Sequence, residues 1–336
     1  MIERRLVVAL VAALVVTTSC GRLRSEPATP ASPDTTATSS SVPGSGDEPA
    51  PSPPPATSPD TPGLVAGTSH HTLTLDGVER TYRLDVPDPA PPGPVDLVVA
   101  LHGGLGSGDG FADITGLDTR ATERGFVVAF PDGRELRSPL GPRVRTWNAG
   151  RCCGSAVRED VDDIAFLDAV VDAVDAAAGV RHLYVTGHSN GAMLAFAYAC
   201  ARASRVAAIA PVAGSLEITG ACTPDHGVDL LAIHGDADEH HPLEGGRGPR
   251  SVVAVSYRSM AETLEMWARA FDCRTPVAAT TSGPLTTSGY DDCRDATSAR
   301  LVVVAGAGHP WPGGTRPGAS RDLDATAAVL DFFTGS

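Results

Sequence analysis

The stretch Val185-Thr186-Gly187-His188-Ser189-Asn190-Gly191-Ala192-Met193 reads as the end of a strand, a sharp turn with Ser189 at its apex, and the start of a helix. Gly187 and Gly191 bracket the serine in the spacing G-x-S-x-G. On so tight a turn the backbone is strained, and side chains two residues either way would collide. The turn exposes the Ser189 hydroxyl above a sheet. It also places the Asn190 N–H at a helix start, where it can donate to an anion. The flanks agree: Arg181 to Thr186 is β-prone, and Ala192 to Arg202 is rich in Ala, Met, Leu and Phe, as a buried helix requires.

Working outward, Asp96 to Leu101 is a continuous apolar run, as for a central strand covered on both faces. It ends in His102-Gly103-Gly104-Leu105-Gly106. His71 to Leu75 and Arg80 to Val86 alternate around Asp76-Gly77 and predict a β-hairpin. A helix is expected from Phe111 to Arg124, a strand over Phe126 to Phe130, and a long structureless loop over Arg134 to Val157. An amphipathic helix follows over Asp160 to Ala178, with Asp160, Asp162 and Asp163 favoured in its first turn by the helix dipole. Later strands are expected over Val206 to Pro211, Val228 to Ile233 and Arg300 to Ala305, and helices over Ser256 to Phe271 and Leu323 to Phe333. Strands alternating with helices imply an α/β fold with a largely parallel central sheet and helices on both faces.

An activated serine needs a base, and the base needs a carboxylate to orient it. For this turn the chain order is Ser, then Asp or Glu, then His, with the later two just beyond strand ends. His309, in Gly306-Ala307-Gly308-His309-Pro310-Trp311, is the predicted base. The acid is Asp238 or Asp236. Asp238 is preferred because it lies further into its loop, and Asp236 suits a turn. The second donor to an oxyanion is expected from the loop after Leu101, at Gly104 with Leu105 next. His102 is read as bracing that loop. Trp147 and Trp311 are candidates to line a substrate pocket. His240 and His241 do not suggest a metal site, since adjacent histidines point apart on an extended chain. No metal and no cofactor are expected.

The chain has 336 residues and a net charge of −14, which argues against nucleic acid as a partner. Glu3-Arg4-Arg5, the apolar run Leu6 to Val16 and the small residues before Cys20 form a signal peptide over residues 1–20. Cys20 after Ser19 resembles a bacterial lipobox, with Thr17 where an aliphatic residue is usual. The alternative is a plain cleaved signal with a free Cys20. Residues 21–66, rich in Pro, Ser and Thr, are expected to be a disordered tether. The catalytic domain is then residues 67–336, outside the cell and anchored to the membrane by lipid on Cys20. Six further cysteines in an oxidising compartment favour disulfides, with Cys273 and Cys293 the most local pair. Cys152, Cys153, Cys200 and Cys222 stay unassigned, and a bond between adjacent Cys152 and Cys153 is not expected.

Taken together, His102-Gly103-Gly104, Trp147-Asn148-Ala149-Gly150 with Cys152-Cys153-Gly154, Gly187 to Met193, His234-Gly235 to Asp238, and His309-Pro310-Trp311-Pro312-Gly313-Gly314 resemble the polyhydroxybutyrate depolymerase/feruloyl esterase-like family, in particular its secreted actinobacterial lipoprotein esterases. The resemblance covers about residue 70 to the end. It implies an α/β-hydrolase fold and a serine carboxylic-ester hydrolase, with Ser189 as nucleophile, Asp238 as acid and His309 as base. The implied partners are polyhydroxyalkanoate-type, feruloyl- or acetyl-polysaccharide or small acyl esters. The chain departs from the family at His240-His241, where Pro and Tyr are usual, and at Pro310, where Thr is usual. Both departures border the substrate cleft. The alternatives are an acyltransferase acting on cell-envelope sugars, distinguished by products formed with a sugar acceptor, and a non-catalytic polymer-binding surface protein, distinguished by failure of Ser189 to react with a fluorophosphonate.

Overall fold

Val95–Leu101 lies at the middle of the sheet because both faces of it are apolar. Leu97, Val99 and Leu101 enter one core, while Val98 and Ala100 enter the core on the other side. Each fully buried Leu or Val here contributes about 1.5–3 kcal/mol relative to exposure. The computed structural model describes residues 63–138 and 141–335. The expected signal peptide, Cys20 and nearly all of the expected tether lie outside the described residues.

In chain order the strands are β1 (Gly67–Leu75), β2 (Val78–Val86), β3 (Val95–Leu101), β4 (Val127–Pro131), β5 (Arg134–Ser138), β6 (Gly141–Thr146), β7 (Val180–His188), β8 (Ala208–Val212), β9 (Asp229–Gly235), β10 (Thr275–Ser282), β11 (Leu285–Asp291) and β12 (Ala299–Val304). The helices are α1 (Gly108–Thr115), α2 (Leu117–Thr122), α3 (Gly154–Arg158), α4 (Asp163–Ala178), α5 (Asn190–Ala201), α6 (Met260–Ala270) and α7 (Ala325–Thr334). Ten strands form one sheet in the order β1-β2-β4-β3-β7-β8-β9-β12-β11-β10. Its six central strands, β4 to β12 in that order, are parallel, and each edge ends in antiparallel strands. The helices α4, α5 and α6 cover one face, and α1, α2 and α7 cover the other. This is the α/β-hydrolase arrangement, with the parallel strands delivering their carboxyl ends to one rim.

Several boundaries differ from the sequence reading, each for a local reason. The helix expected over Phe111 to Arg124 is two helices, broken where Gly116 adopts φ +64°. The loop expected over Arg134 to Val157 holds the β5–β6 hairpin and α3. Arg134 pairs with Thr146, and Glu135 pairs with Arg145. Such a polar ribbon has no apolar alternation to betray it. The β10–β11 hairpin leaves no apolar alternation in the sequence either, since the side chains of β10 are mostly exposed. Asp163 stands in the first turn of α4, as expected, while Asp160 and Asp162 precede the helix, and Asp163 has a partner besides. Its buried carboxylate accepts from Arg80 Nη2 (2.7 Å) and from the Asn148 N–H (2.7 Å), while Asp162 caps α4 by accepting from Ala165 N–H (2.8 Å).

The turn between β7 and α5 shows why its glycines are required. A β-carbon on Gly191 would stand 2.3 Å from the Leu101 carbonyl oxygen and 2.6 Å from that of His102. One on Gly187 would stand 2.7 Å from the Gly191 carbonyl group. Neither neighbour is a flexible side chain, so β3, β7 and α5 would have to part. Gly191→Ala is therefore expected to destabilise the fold by about 3 kcal/mol. Urea unfolding of that variant, with an unchanged midpoint, would remove this account of the turn.

Three disulfides are formed among the described residues. Cys200 joins Cys222 (2.02 Å), tying the end of α5 to the loop after β8, and Cys273 joins Cys293 (2.03 Å) at the base of β10 and β11. Cys152 joins Cys153, against the sequence expectation. That expectation rested on the strain of a bond between neighbouring cysteines. The Cys152–Cys153 peptide is cis, and the two Cα atoms are 3.0 Å apart.

Candidate active site

Ser189 sits at φ +55°, ψ −118°, a strained conformation for a residue with a β-carbon. Its N–H donates to the Val212 carbonyl (2.9 Å), and its carbonyl accepts from Met193 N–H (3.0 Å), so the turn is fixed from both sides. The side chain projects from the end of β7 into a cavity of about 550 Å³.

His309 arrives on the loop after β12, and Asp238 arrives on the loop after β9. The Ser189 hydroxyl lies 2.9 Å from His309 Nε2, and His309 Nδ1 lies 2.6 Å from Asp238 Oδ2. The Asp238 side chain is wholly buried, and that of His309 is 16% exposed. Burial alone would raise the Asp238 carboxyl. The hydrogen bond and charge of His309, with the His241 N–H, outweigh burial and hold it at about 2. An ionised Asp238 accepts from Nδ1–H, which leaves the Nε2 lone pair to receive the serine proton. Asp236 is not in this chain of contacts; its Oδ1 accepts from the Gly306 N–H (2.7 Å), bracing one loop against another.

The Asp238 loop is itself anchored. Asp238 Oδ1 accepts from the N–H groups of His240 (2.8 Å) and His241 (2.9 Å). The His241 carbonyl accepts from buried His234 Nε2 (2.8 Å). The His241 ring reaches the Ser215 hydroxyl (2.9 Å), which donates to buried Glu217 (2.7 Å). His240 turns the other way and stacks on His309, with ring centroids 4.8 Å apart and planes inclined by 23°. Asp238, His240 and His309 each place one ligand atom within 4.8 Å of the others. A cation there would have to displace the proton that Asp238 and His309 share.

On the opposite side lies the Gly103–Gly106 turn. Leu105 N–H donates to the Arg145 carbonyl (2.8 Å), and Gly106 N–H to that of Gly103 (3.1 Å). These commitments leave Gly104 as the candidate donor facing Asn190, whose Cβ would lie 3.9 Å from a β-carbon on Gly104. His102 braces the turn, as its position suggested. Its Nε2 accepts from Gly133 N–H (2.9 Å), so Nδ1 donates to the Gly103 carbonyl (2.7 Å). Desolvation, partly offset by that bond, lowers the His102 imidazole to about 4, so it stays neutral.

Two residues gain roles that their spacing did not reveal. His188, inside the G-x-S-x-G turn, donates from Nε2 to the His309 carbonyl (2.7 Å), tying the His309 loop to the Ser189 turn. Desolvation and the His309 charge lower it to about 3, which keeps it neutral. The Asn190 side chain forms a pair with the Trp147 backbone, accepting from its N–H (2.7 Å) and donating to its carbonyl (3.1 Å). A variable position in a five-residue pattern carries no signal for either contact.

The two tryptophans divide. Trp311 lines the cavity, its ring edge-on to Phe111 at 5.4 Å and its Nε1–H donated to Thr326 (3.0 Å). Trp147 does not line it. Its ring is fully buried behind His102, and its Nε1–H donates to the His102 carbonyl (2.8 Å). An indole with a backbone partner can be buried whole, and here it supports the loop instead of the substrate.

No protein-family model matches the chain. Over 297 residues, 80% of this chain and 83% of the relative, it is 32% identical to a Nocardia uniformis subsp. tsuyamanensis protein named "Putative esterase NocK". Over 176 residues it is 32% identical to feruloyl esterase C of Emericella nidulans, matching 50% of this chain and 58% of that relative. Among solved structures, the acetyl xylan esterase from Aspergillus awamori matches with a TM-score of 0.53 at 17% identity, over 77% of this chain and 99% of that one. At that identity the likeness is one of fold.

Proposed function

The chain belongs to the esterase family of NocK, and from that premise we propose that it is a serine carboxylic-ester hydrolase working through Ser189, His309 and Asp238. The observation that carries this reading is the continuous chain from the Ser189 hydroxyl through His309 to Asp238, 2.9 Å and 2.6 Å, at the wall of an open cavity.

Ser189 Oγ attacks the ester carbonyl while His309 Nε2 takes its proton. Asp238 holds the imidazole in the required tautomer and stabilises the imidazolium that forms. The carbonyl oxygen becomes an oxyanion, received by the Asn190 N–H at the start of α5 and by the Gly104 N–H. Losing one such donor costs about 10²–10³-fold in rate. His309 then protonates the departing alcohol, and its neutral form activates the water that releases the acid. His188, His241 and Asn190 fix the three loops on which these groups ride, which keeps reacting atoms in register.

Small acyl esters, feruloyl or acetyl esters of polysaccharides and short hydroxyalkanoate esters are the proposed substrates. The apolar wall of Leu105, Phe111, Ile114 and Trp311 suits an acyl or aromatic arm. The three disulfides support work in an oxidising compartment. There the leader would place the chain, and Cys20 would carry its lipid. A fluorophosphonate probe is expected to form one adduct per chain, located at Ser189 by peptide mass spectrometry and suppressed by excess ester. An unlabelled Ser189, or an adduct elsewhere, would defeat the assignment.

A further inference from the structure

The charge around Ser189 runs against that of the chain. The sequence carries 40 acidic and 26 basic residues. Sampled evenly, a lining would hold about three acids for every two bases. Among the described residues, no aspartate or glutamate lines the cavity, and its two fixed charges are Arg145 and Arg316. Arg145 is partly answered by carboxylates outside the lining, Asp132 at 3.7 Å and Glu135 at 3.5 Å. Arg316 is exposed, and its guanidinium makes no ion pair and no hydrogen bond among the described residues.

The position of Arg316 is built, although its side chain is unpartnered. Gly314 N–H donates to the Trp311 carbonyl (3.0 Å), Thr315 N–H to that of Ile114 (3.0 Å), and Ala319 N–H to that of Arg316 itself (3.2 Å). The loop is thus fixed to the end of α1, and the exposed Arg316 lines the same cavity as apolar Ile114 and Trp311. Its charge reaches inward. After desolvation and the His309 charge, Arg316 is among the groups that depress buried His188.

We propose that the site selects esters whose acyl or alcohol arm carries a carboxylate, with Arg316 as the residue that recognises it. The inference rests on the serine ester hydrolase reading for its chemistry. A guanidinium with open N–H donors offers a carboxylate two parallel charge-assisted hydrogen bonds. An apolar wall beside it weakens the competition from water. Over most of its surface a chain of net charge −14 repels an anionic substrate, so a cationic rim with no carboxylate facing it also directs approach.

Two substrate pairs test this on the whole protein and separate the arms. For the acyl arm, the p-nitrophenyl monoester of glutaric acid is compared with p-nitrophenyl valerate. For the alcohol arm, 4-acetoxybenzoate is compared with 4-acetoxybenzamide. In one pair the anionic member is expected to have about tenfold higher kcat/KM, mainly through KM, with the ratio falling as salt is added. Arg316→Gln should bring that ratio close to one, and Arg316→Lys should keep part of it, which a folding defect would not do. Equal or neutral-favouring ratios in both pairs, or a preference that survives Arg316→Gln, would overturn the proposal. Calorimetric binding of 4-acetoxybenzoate and glutarate to the Ser189→Ala variant reads the anion site without turnover. Binding lost on adding Arg316→Gln supports it, and no binding of either anion counts against it. Should no ester be turned over at all, the hydrolase reading fails while calorimetry still decides the anion site.

Discussion

Replacing Ser189 with alanine is expected to lower kcat for p-nitrophenyl butyrate by about 10⁴-fold or more, with the thermal midpoint almost unmoved. The separation of the two effects follows from geometry. The only hydrogen bond of the hydroxyl among the described residues is with His309 Nε2, at 2.9 Å, and His309 lines the cavity, where water can take the place of the lost hydroxyl. The backbone at φ +55° is no worse for alanine than for serine, since both carry a β-carbon, and Ala213 already stands at φ +56° in this chain. Turnover, by contrast, loses the atom that forms the acyl intermediate. What remains is catalysis by the oxyanion donors and by binding, typically about 10³–10⁴-fold over water in other serine hydrolases. Steady-state kinetics beside a melting curve is the measurement. Turnover persisting within tenfold of the parent would mean that another nucleophile acts.

Much of this site could be read in the chain because its parts obey local rules. The Ser189 turn is steric: Gly187 and Gly191 leave no room for a β-carbon, and that requirement is written in five residues. The run Asp96 to Leu101 is apolar on both faces because helices cover both, which sets a parallel sheet and hence the rim where loops collect. His309 follows from that rim and from chain order. Trp147 shows where the reading ends. A tryptophan next to a candidate loop looks alike in sequence whether it faces a ligand or supports a backbone, and only the His102 carbonyl at 2.8 Å decides. The ties of His188 to His309 and of Asn190 to Trp147 span 121 and 43 residues and leave no periodic trace. The β5–β6 and β10–β11 hairpins are held by backbone pairing at polar positions, which hydropathy cannot register.

Asp238→Asn is the sharper test of the triad, because the structure dictates which way the amide must face. Asp238 Oδ1 accepts two backbone N–H groups, from His240 and His241. An asparagine can satisfy them only by keeping its carbonyl oxygen there, which turns its NH₂ towards His309 Nδ1. Two donors cannot face each other, so Nδ1 gives up its proton and Nε2 takes one. Ser189 then meets an N–H instead of a lone pair, and the base is disabled while every atom stays in place. About 10⁴-fold loss of kcat at neutral pH is the expected result. A second signature separates this from a packing defect. The Asp238 carboxyl is held at about 2, below its ordinary 3.8, because the His309 bond and charge and the His241 N–H overcome burial. A depressed carboxyl stabilises the fold fully above the unfolded value, and that stabilisation is lost as pH falls towards the folded one. The part of the stability gap between the parent and Asp238→Asn that comes from this carboxyl should therefore close between about pH 4 and 2. Urea unfolding across that range measures it. Activity within tenfold of the parent would hand the orienting role to another carboxylate, and a gap that fails to narrow between about pH 4 and 2 would mean that Asp238 is not an ionised acceptor for His309.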